Sequence, residues 1–332
     1  MPRAWYVRLE TIVRVVIAAV GASLALVARR PIGRVLGRAP GRAIQIVIAA
    51  LLALAASEFV LRRVPLRPTE WLLPEEEPRR VPDPRLGWTL SPARTGHSSV
   101  GGRTIDYAID PAGCRVRTLD EPVDPARPTL LFTGESIIFG EGLTWNETVP
   151  AQVGAMLGIQ SANLAVHGYS NDQAYLRLER ELPRFRQPVA VVTMFMTALF
   201  GRNLDEDRPH LGPGLMWLPA KHASRLAALG ALLVPYRSDS TVQRGIRVTR
   251  EVLRATVERA RARGAQPLIV VPQIGPEAPS EQLLRSRIVD ESGVPYVFIE
   301  VDPDWHLPWD RHPDARGAHV IAGAIAARLG KQ

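Results

Sequence analysis

Apolar positions along this chain fall into two regimes, long unbroken runs before about residue 64 and short interrupted ones after about residue 128. The short runs end in turn residues and carry Val, Ile, Leu, Phe and Thr, the signature of strands buried on both faces. They predict strands at about 128–133, 160–166, 189–196, 267–272 and 295–300, of which Pro267-Leu-Ile-Val-Val271 is the clearest. Between them, amphipathic stretches predict helices at about 146–157, 171–183, 240–263, 279–290 and 316–329. Strand and helix in alternation predict an α/β fold whose parallel sheet is covered on both faces. The long helix from Thr241 to Arg263 has a face of arginines and glutamates, read as a solvated face and not a binding patch. No repeat with a period of 20–50 residues is present.

The long runs are Thr11 to Ala28 and Ala43 to Leu61. Each approaches the ~20 residues a bilayer-spanning helix needs. Arg29, Arg30, Arg34, Arg38 and Arg42 lie between them, and the preference of basic loops for the cytoplasm puts that loop inside. The chain beyond residue 63 is then expected outside the cytoplasmic membrane, in the periplasm or at the cell surface, with lipid as one partner. Two soluble Ala-rich helices would give the same pattern, and the second run also reads as a late signal sequence ending in Ala-Leu-Ala-Ala. The expected organisation is an anchor at 1–63, a Pro-rich spacer at 64–84, a small β-containing extension at 85–127 packed on the flank, and a catalytic domain at 128–332.

Charge changes the picture by its location. The net charge is +8, yet eleven arginines lie between Arg3 and Arg67 against only Glu10 and Glu58. The remainder is close to neutral and needs no basic face, so nucleic acid is not an expected partner. One cysteine, Cys114, excludes an internal disulfide framework and a thiolate zinc site. No His/Asp/Glu cluster has metal-ligand spacing, and no phosphate-binding glycine loop follows a strand. No cofactor or metal is implied.

Two segments carry candidate chemistry. In Leu130-Leu-Phe-Thr-Gly-Glu-Ser-Ile-Ile-Phe-Gly-Glu-Gly142 a buried strand stops at Gly134 and presents Ser136 on the turn, with a helical pattern resuming only after Gly140 and Gly142. The carboxyl edge of an open α/β sheet is where such a hydroxyl meets substrate. Near the end, Asp310-Arg-His312-Pro precedes the last helix, so His312 is a candidate base and Asp310 its orienting acid. His306, preceded by Asp304-Trp, is the rival; His167 is a candidate substrate contact, while His97, His210, His222 and His319 read as structural or exposed.

From about Arg85 to the C-terminus the chain resembles the SGNH/GDSL hydrolases, in particular their membrane-attached, extracytoplasmic bacterial members. Three blocks carry the resemblance: Gly134-Glu-Ser136, where the family usually has Gly-Asp-Ser; Asn163-Leu-Ala-Val-His-Gly168; and Asp310-Arg-His312-Pro followed by Gly317. The resemblance implies a flavodoxin-like three-layer sandwich with a five-stranded parallel sheet. It also implies a serine ester hydrolase with Ser136 as nucleophile, His312 and Asp310 as its base, and Gly168 as an oxyanion-hole amide. The family's Asn-Asp pair after the third strand is missing; Thr197-Ala198 stands there, and either Thr197 or Asn203 is the expected third donor or the site has none. The expected substrates are small acyl esters or acylated envelope glycans or lipids. Acyl transfer to a glycan hydroxyl, or binding without turnover, is the alternative. The stretch Phe200 to Tyr236 interrupts the alternation and is expected to wall the site or to pack as a core helix.

Overall fold

The computed structural model describes residues 40–330 apart from 68, 69, 71, 74 and 234–236, with scattered positions between 16 and 34. The expected first membrane helix, 11–28, lies largely outside the described residues. The chain divides into two compact units, Met1–Glu70 with His222–Asp239, and Trp71–Lys221 with Ser240–Gln332.

In the first unit, helix α1 (Pro40–Leu61) contains the window Ile44–Leu61, with mean hydropathy 2.3 and none of it buried. Its 22 residues span about 33 Å at 1.5 Å per residue, long and apolar enough to cross a bilayer. Of the stretch 200–236, expected to wall the site or to pack as a core helix, the part from His222 onward belongs to this first unit. The Glu58 carboxylate accepts from the backbone N–H groups of Arg225 (2.7 Å) and Leu226 (3.1 Å), capping the short apolar helix Arg225–Leu233. Arg225 is buried and pairs with Glu70, and Arg67 donates to Ala223 O at 2.6 Å.

In the second unit the strands are β1 (Arg80–Asp83), β2 (Gly87–Leu90), β3 (Arg94–Val100), β4 (Arg103–Ile109), β5 (Arg115–Val116), β6 (Pro128–Thr133), β7 (Gln160–Asn163) and β8 (Gln187–Met194). They are followed by β9 (His210–Leu211), β10 (Trp217–Leu218), β11 (Gln266–Ile274) and β12 (Tyr296–Val301). The main sheet has the order β12-β11-β8-β6-β7-β5-β4-β3. Its five parallel strands run β7-β6-β8-β11-β12, which is the flavodoxin order, with the switch point between β6 and β8. Those five match the expected strands within a few residues at each end.

Two expectations are corrected in front of them. The 85–127 segment does not sit on the flank: β3, β4 and β5 continue the same sheet, Arg115 pairing antiparallel with Asn163 and covering the edge that β7 would expose. The proline-rich spacer is not wholly irregular, since Arg80–Asp83 pairs with Gly87–Leu90 as a hairpin. Proline is tolerated in such a two-stranded edge.

Candidate active site

The strand β6 is buried from Thr129 to Thr133 and delivers the chain to the switch point. Glu135 then caps a one-turn helix, α2 (Ser136–Phe139), its carboxylate accepting from Ile137 N at 3.1 Å. The sequence pattern had placed helical character only after Gly140. Instead Gly140, in the left-handed conformation (φ 83), ends the turn. A Cβ there would also collide with Thr148. The turn is held at its carboxyl end by two side chains. Arg115 donates to the carbonyls of Phe139 (2.8 Å), Gly140 (2.6 Å) and Leu143 (2.5 Å), and Asn163 donates to those of Ile138 and Phe139 at 3.2 Å. Asn163, the first residue of the second block, therefore shapes the turn that carries Ser136.

The terminal loop reaches the same point from the other end of the chain. His306 Nδ1 bonds Leu307 O at 2.7 Å, the chain doubles back through a bridge between His306 and Pro313, and Asp314 caps the last helix, Ala315–Leu329. The rival histidine thus fastens the loop that presents His312. His312 Nε2 lies 2.7 Å from Ser136 Oγ and its Nδ1 lies 2.6 Å from Asp310 Oδ2. Three residues that the sequence separates by up to 176 positions form one hydrogen-bonded chain.

Ser136 Oγ has a second neighbour, the Glu135 carboxylate, which in turn pairs with Arg202 at 3.3 Å. A hydroxyl has one proton to donate, so Glu135 and His312 compete for it. Gly168 follows His167 with φ 81 and packs on Trp88, whose indole N–H donates to His167 O at 3.2 Å. A side chain at position 168 would be both strained and pressed against the Trp88 ring, 3.2 Å from a Cβ.

Of the two expected third donors, Asn203 is spent elsewhere. Its amide accepts from Asn171 N (3.0 Å) and donates to Asn171 Oδ1 (3.1 Å) and Thr249 Oγ1 (3.0 Å), bracing the start of the helix Asn171–Glu181. Thr197 is buried just after β8.

Two groups escaped sequence reasoning. Glu141 sits between Gly140 and Gly142, its backbone N–H bonded to Ser136 O at 3.0 Å, and its carboxylate is 3.7 Å from His167 Nδ1 and 3.9 Å from His312 Nε2. Burial alone would raise its pKa, but His167, with the charges of His312 and Arg80, outweighs burial and holds it at about 2. Its place inside the quoted serine block was a readable signal; Arg202, in an irregular segment, offered none. Among the described residues no group of three or more metal-ligating side chains is present.

No protein-family model matches the sequence, and no curated protein sequence matches it. Solved structures similar to this chain include a protein described as lipolytic and of the G-D-S-L family from Desulfitobacterium hafniense DCB-2 (13% identity, TM-score 0.38, covering 60% of this chain and 98% of that one). An acetyl xylan esterase from Butyrivibrio proteoclasticus is similar at 12% identity and TM-score 0.38, over 64% of this chain and 65% of that one. A GDSL-like lipase from Bacteroides thetaiotaomicron is similar at 16% identity and TM-score 0.36, over 63% and 91% respectively.

Proposed function

We propose that this chain is a serine ester hydrolase of the SGNH/GDSL type, held at the outer face of a membrane by its N-terminal helices. The observation that carries the reading is the hydrogen-bonded chain Ser136–His312–Asp310 at the switch point of the parallel sheet. Ser136 Oγ attacks the ester carbonyl and gives its proton to His312 Nε2. Asp310 holds the imidazole through Nδ1 and stabilises the imidazolium that forms. The tetrahedral intermediate collapses and the departing alcohol oxygen takes the proton from Nε2. Water then repeats the sequence on the acyl-enzyme and returns the proton to Ser136. The backbone N–H groups of Ser136 and Gly168 hold the developing oxyanion, with Thr197 as a further donor. Lack of one such donor costs on the order of 2.7–4 kcal/mol in transition-state stabilisation, which gives a slower enzyme.

The pocket beside Glu135, walled by Met194, Met196 and Leu199, has room for about one water-sized group. That favours a short acyl group, such as acetyl, over a long chain. The apolar, unburied helix α1 supports placement of the substrate in the envelope, as an acylated glycan or lipid. A second reading, an esterase-like module that binds without turnover, is favoured by one observation, the Glu135 carboxylate on the Ser136 hydroxyl. Release of acetate from acetylated glycans and from p-nitrophenyl acetate separates the two. Turnover that disappears in Ser136→Ala supports the hydrolase, and a folded wild type that binds acetylated glycan without releasing acetate supports the module.

A further inference from the structure

Glu141 is the most loosely held carboxylate of the site, its main partner among the described residues being the His167 imidazole. Glu135 is paired with Arg202, and Asp310 with His312 and the backbone N–H of Arg311. By contrast the imidazole nitrogens nearest the Glu141 carboxylate lie at 3.7 and 3.9 Å, beyond ordinary hydrogen-bond length. Its side chain is 37% exposed and lies beside His312 and the turn that carries Ser136. The backbone bond from Glu141 N to Ser136 O fixes its origin. His167, buried against Phe139 with ring centroids 5.6 Å apart and with no partner on Nε2, forms the wall on its far side.

The position decides what this carboxylate meets. In ester cleavage the alcohol oxygen must come to His312 Nε2 to collect its proton. A group 3.9 Å from Nε2 is therefore one hydroxyl away from the leaving oxygen. Vicinal hydroxyls of a sugar or other polyol stand a hydrogen-bond length apart, so the hydroxyl next to the ester falls within reach of Glu141. We infer that Glu141 reads the alcohol half of the substrate: it accepts a hydrogen bond from the hydroxyl adjacent to the ester oxygen, so the preferred substrate is an ester of a polyol. With Glu135 and Asp310 close by, the same charge disfavours alcohols that carry a carboxylate or phosphate next to the ester. The inference rests on the ester hydrolase reading and specifies its substrate.

The test uses the full-length protein in detergent micelles with three acetyl esters. They are a mono-O-acetyl methyl glycoside, its deoxy counterpart lacking the adjacent hydroxyl, and p-nitrophenyl acetate. A hydrogen bond to a charged group is worth roughly a factor of 10–100 in kcat/KM. The wild type is expected to prefer the hydroxyl-bearing glycoside over the deoxy one by that factor. Glu141→Gln is expected to erase most of the preference while changing p-nitrophenyl acetate turnover far less. A carboxylate that only orients or charges the histidine would lower all three substrates equally, and that result, or a preference unchanged in Glu141→Gln, overturns the inference. Fluorophosphonate labelling of wild-type Ser136 keeps the two failures apart. Labelling without Glu141-dependent preference removes this inference alone, whereas no labelling removes the hydrolase reading and this one with it.

Discussion

Arg115 and Arg202 both approach the turn that carries Ser136, one at its carboxyl end and the other at its amino end. Arg115 is fully buried between the rings of Tyr107 and Phe139, 4.6 and 4.8 Å from their centroids, and it donates to three carbonyls and to no carboxylate. Burial lowers its pKa to about 10, which still leaves it charged at neutral pH. Arg202 keeps 30% of its side chain exposed and meets the Glu135 carboxylate that touches the Ser136 hydroxyl. At one end a charge is immobilised by neutral dipoles and aromatic faces; at the other, the Glu135 carboxylate and the His312 imidazole close on a buried hydroxyl. Structural support and the proposed chemistry are thus divided between the two ends of a single four-residue turn.

Substitutions at the two ends should fail in different ways. At the working end, Ser136→Ala or His312→Ala is expected to lower ester turnover by roughly 10⁴–10⁶-fold, with an unchanged melting temperature. A large loss of stability in either variant would break the division. At the supporting end, Arg115→Met leaves three carbonyls without their donor and should cost about 3–5 kcal/mol of folding stability by denaturant titration. Activity measured well below the melting transition is expected to fall less than in Ser136→Ala.

Asp172 provides a pH-dependent version of the same contrast. It is buried on the helix Asn171–Glu181, with Oδ2 accepting from Leu211 N at 2.9 Å and Oδ1 without a partner. Burial pushes its pKa up to about 6, against the Leu211 bond and the charges of His210 and Arg208. The folded state therefore binds this proton more tightly than the unfolded chain. Its stabilising contribution is complete below the unfolded value near 4 and is lost as pH rises through about 6. Wild type should lose up to about 3 kcal/mol relative to Asp172→Asn between pH 4 and 7, read from melting curves of both. The smallest expected effect is at Asn203, whose amide braces Asn171 and Thr249. Asn203→Ala should cost about 1–2 kcal/mol of stability and lower kcat far less than the roughly 10²–10³-fold that loss of an oxyanion donor produces.

The reasons why parts of this molecule were readable from sequence differ by region. The five parallel strands are rich in buried apolar residues, so their runs stand out, and alternation with helices implies that they are parallel; their order was implied only by the family resemblance. That Ser136, His312 and Asp310 would meet was readable because each sits in a short block with a distinctive turn residue. The antiparallel wing was harder: β5 has two residues, and its joining to β7 depends on a single pair, Arg115 with Asn163. Asn203 misled because an amide in the right stretch of sequence says nothing about which backbone it faces. Nor did the sequence indicate that Glu58 caps a helix more than 160 positions later; that is long-range pairing with no periodic trace.

The central claim is that His312 and Asp310 make Ser136 a nucleophile despite the Glu135 carboxylate beside it. Intact-mass analysis of the full-length protein after exposure to a fluorophosphonate tests it most directly, with Ser136→Ala and His312→Ala alongside. The account predicts a single adduct, located on Ser136 and absent from both variants. An adduct that persists in His312→Ala at the wild-type rate, or a folded wild type that takes none, would contradict it.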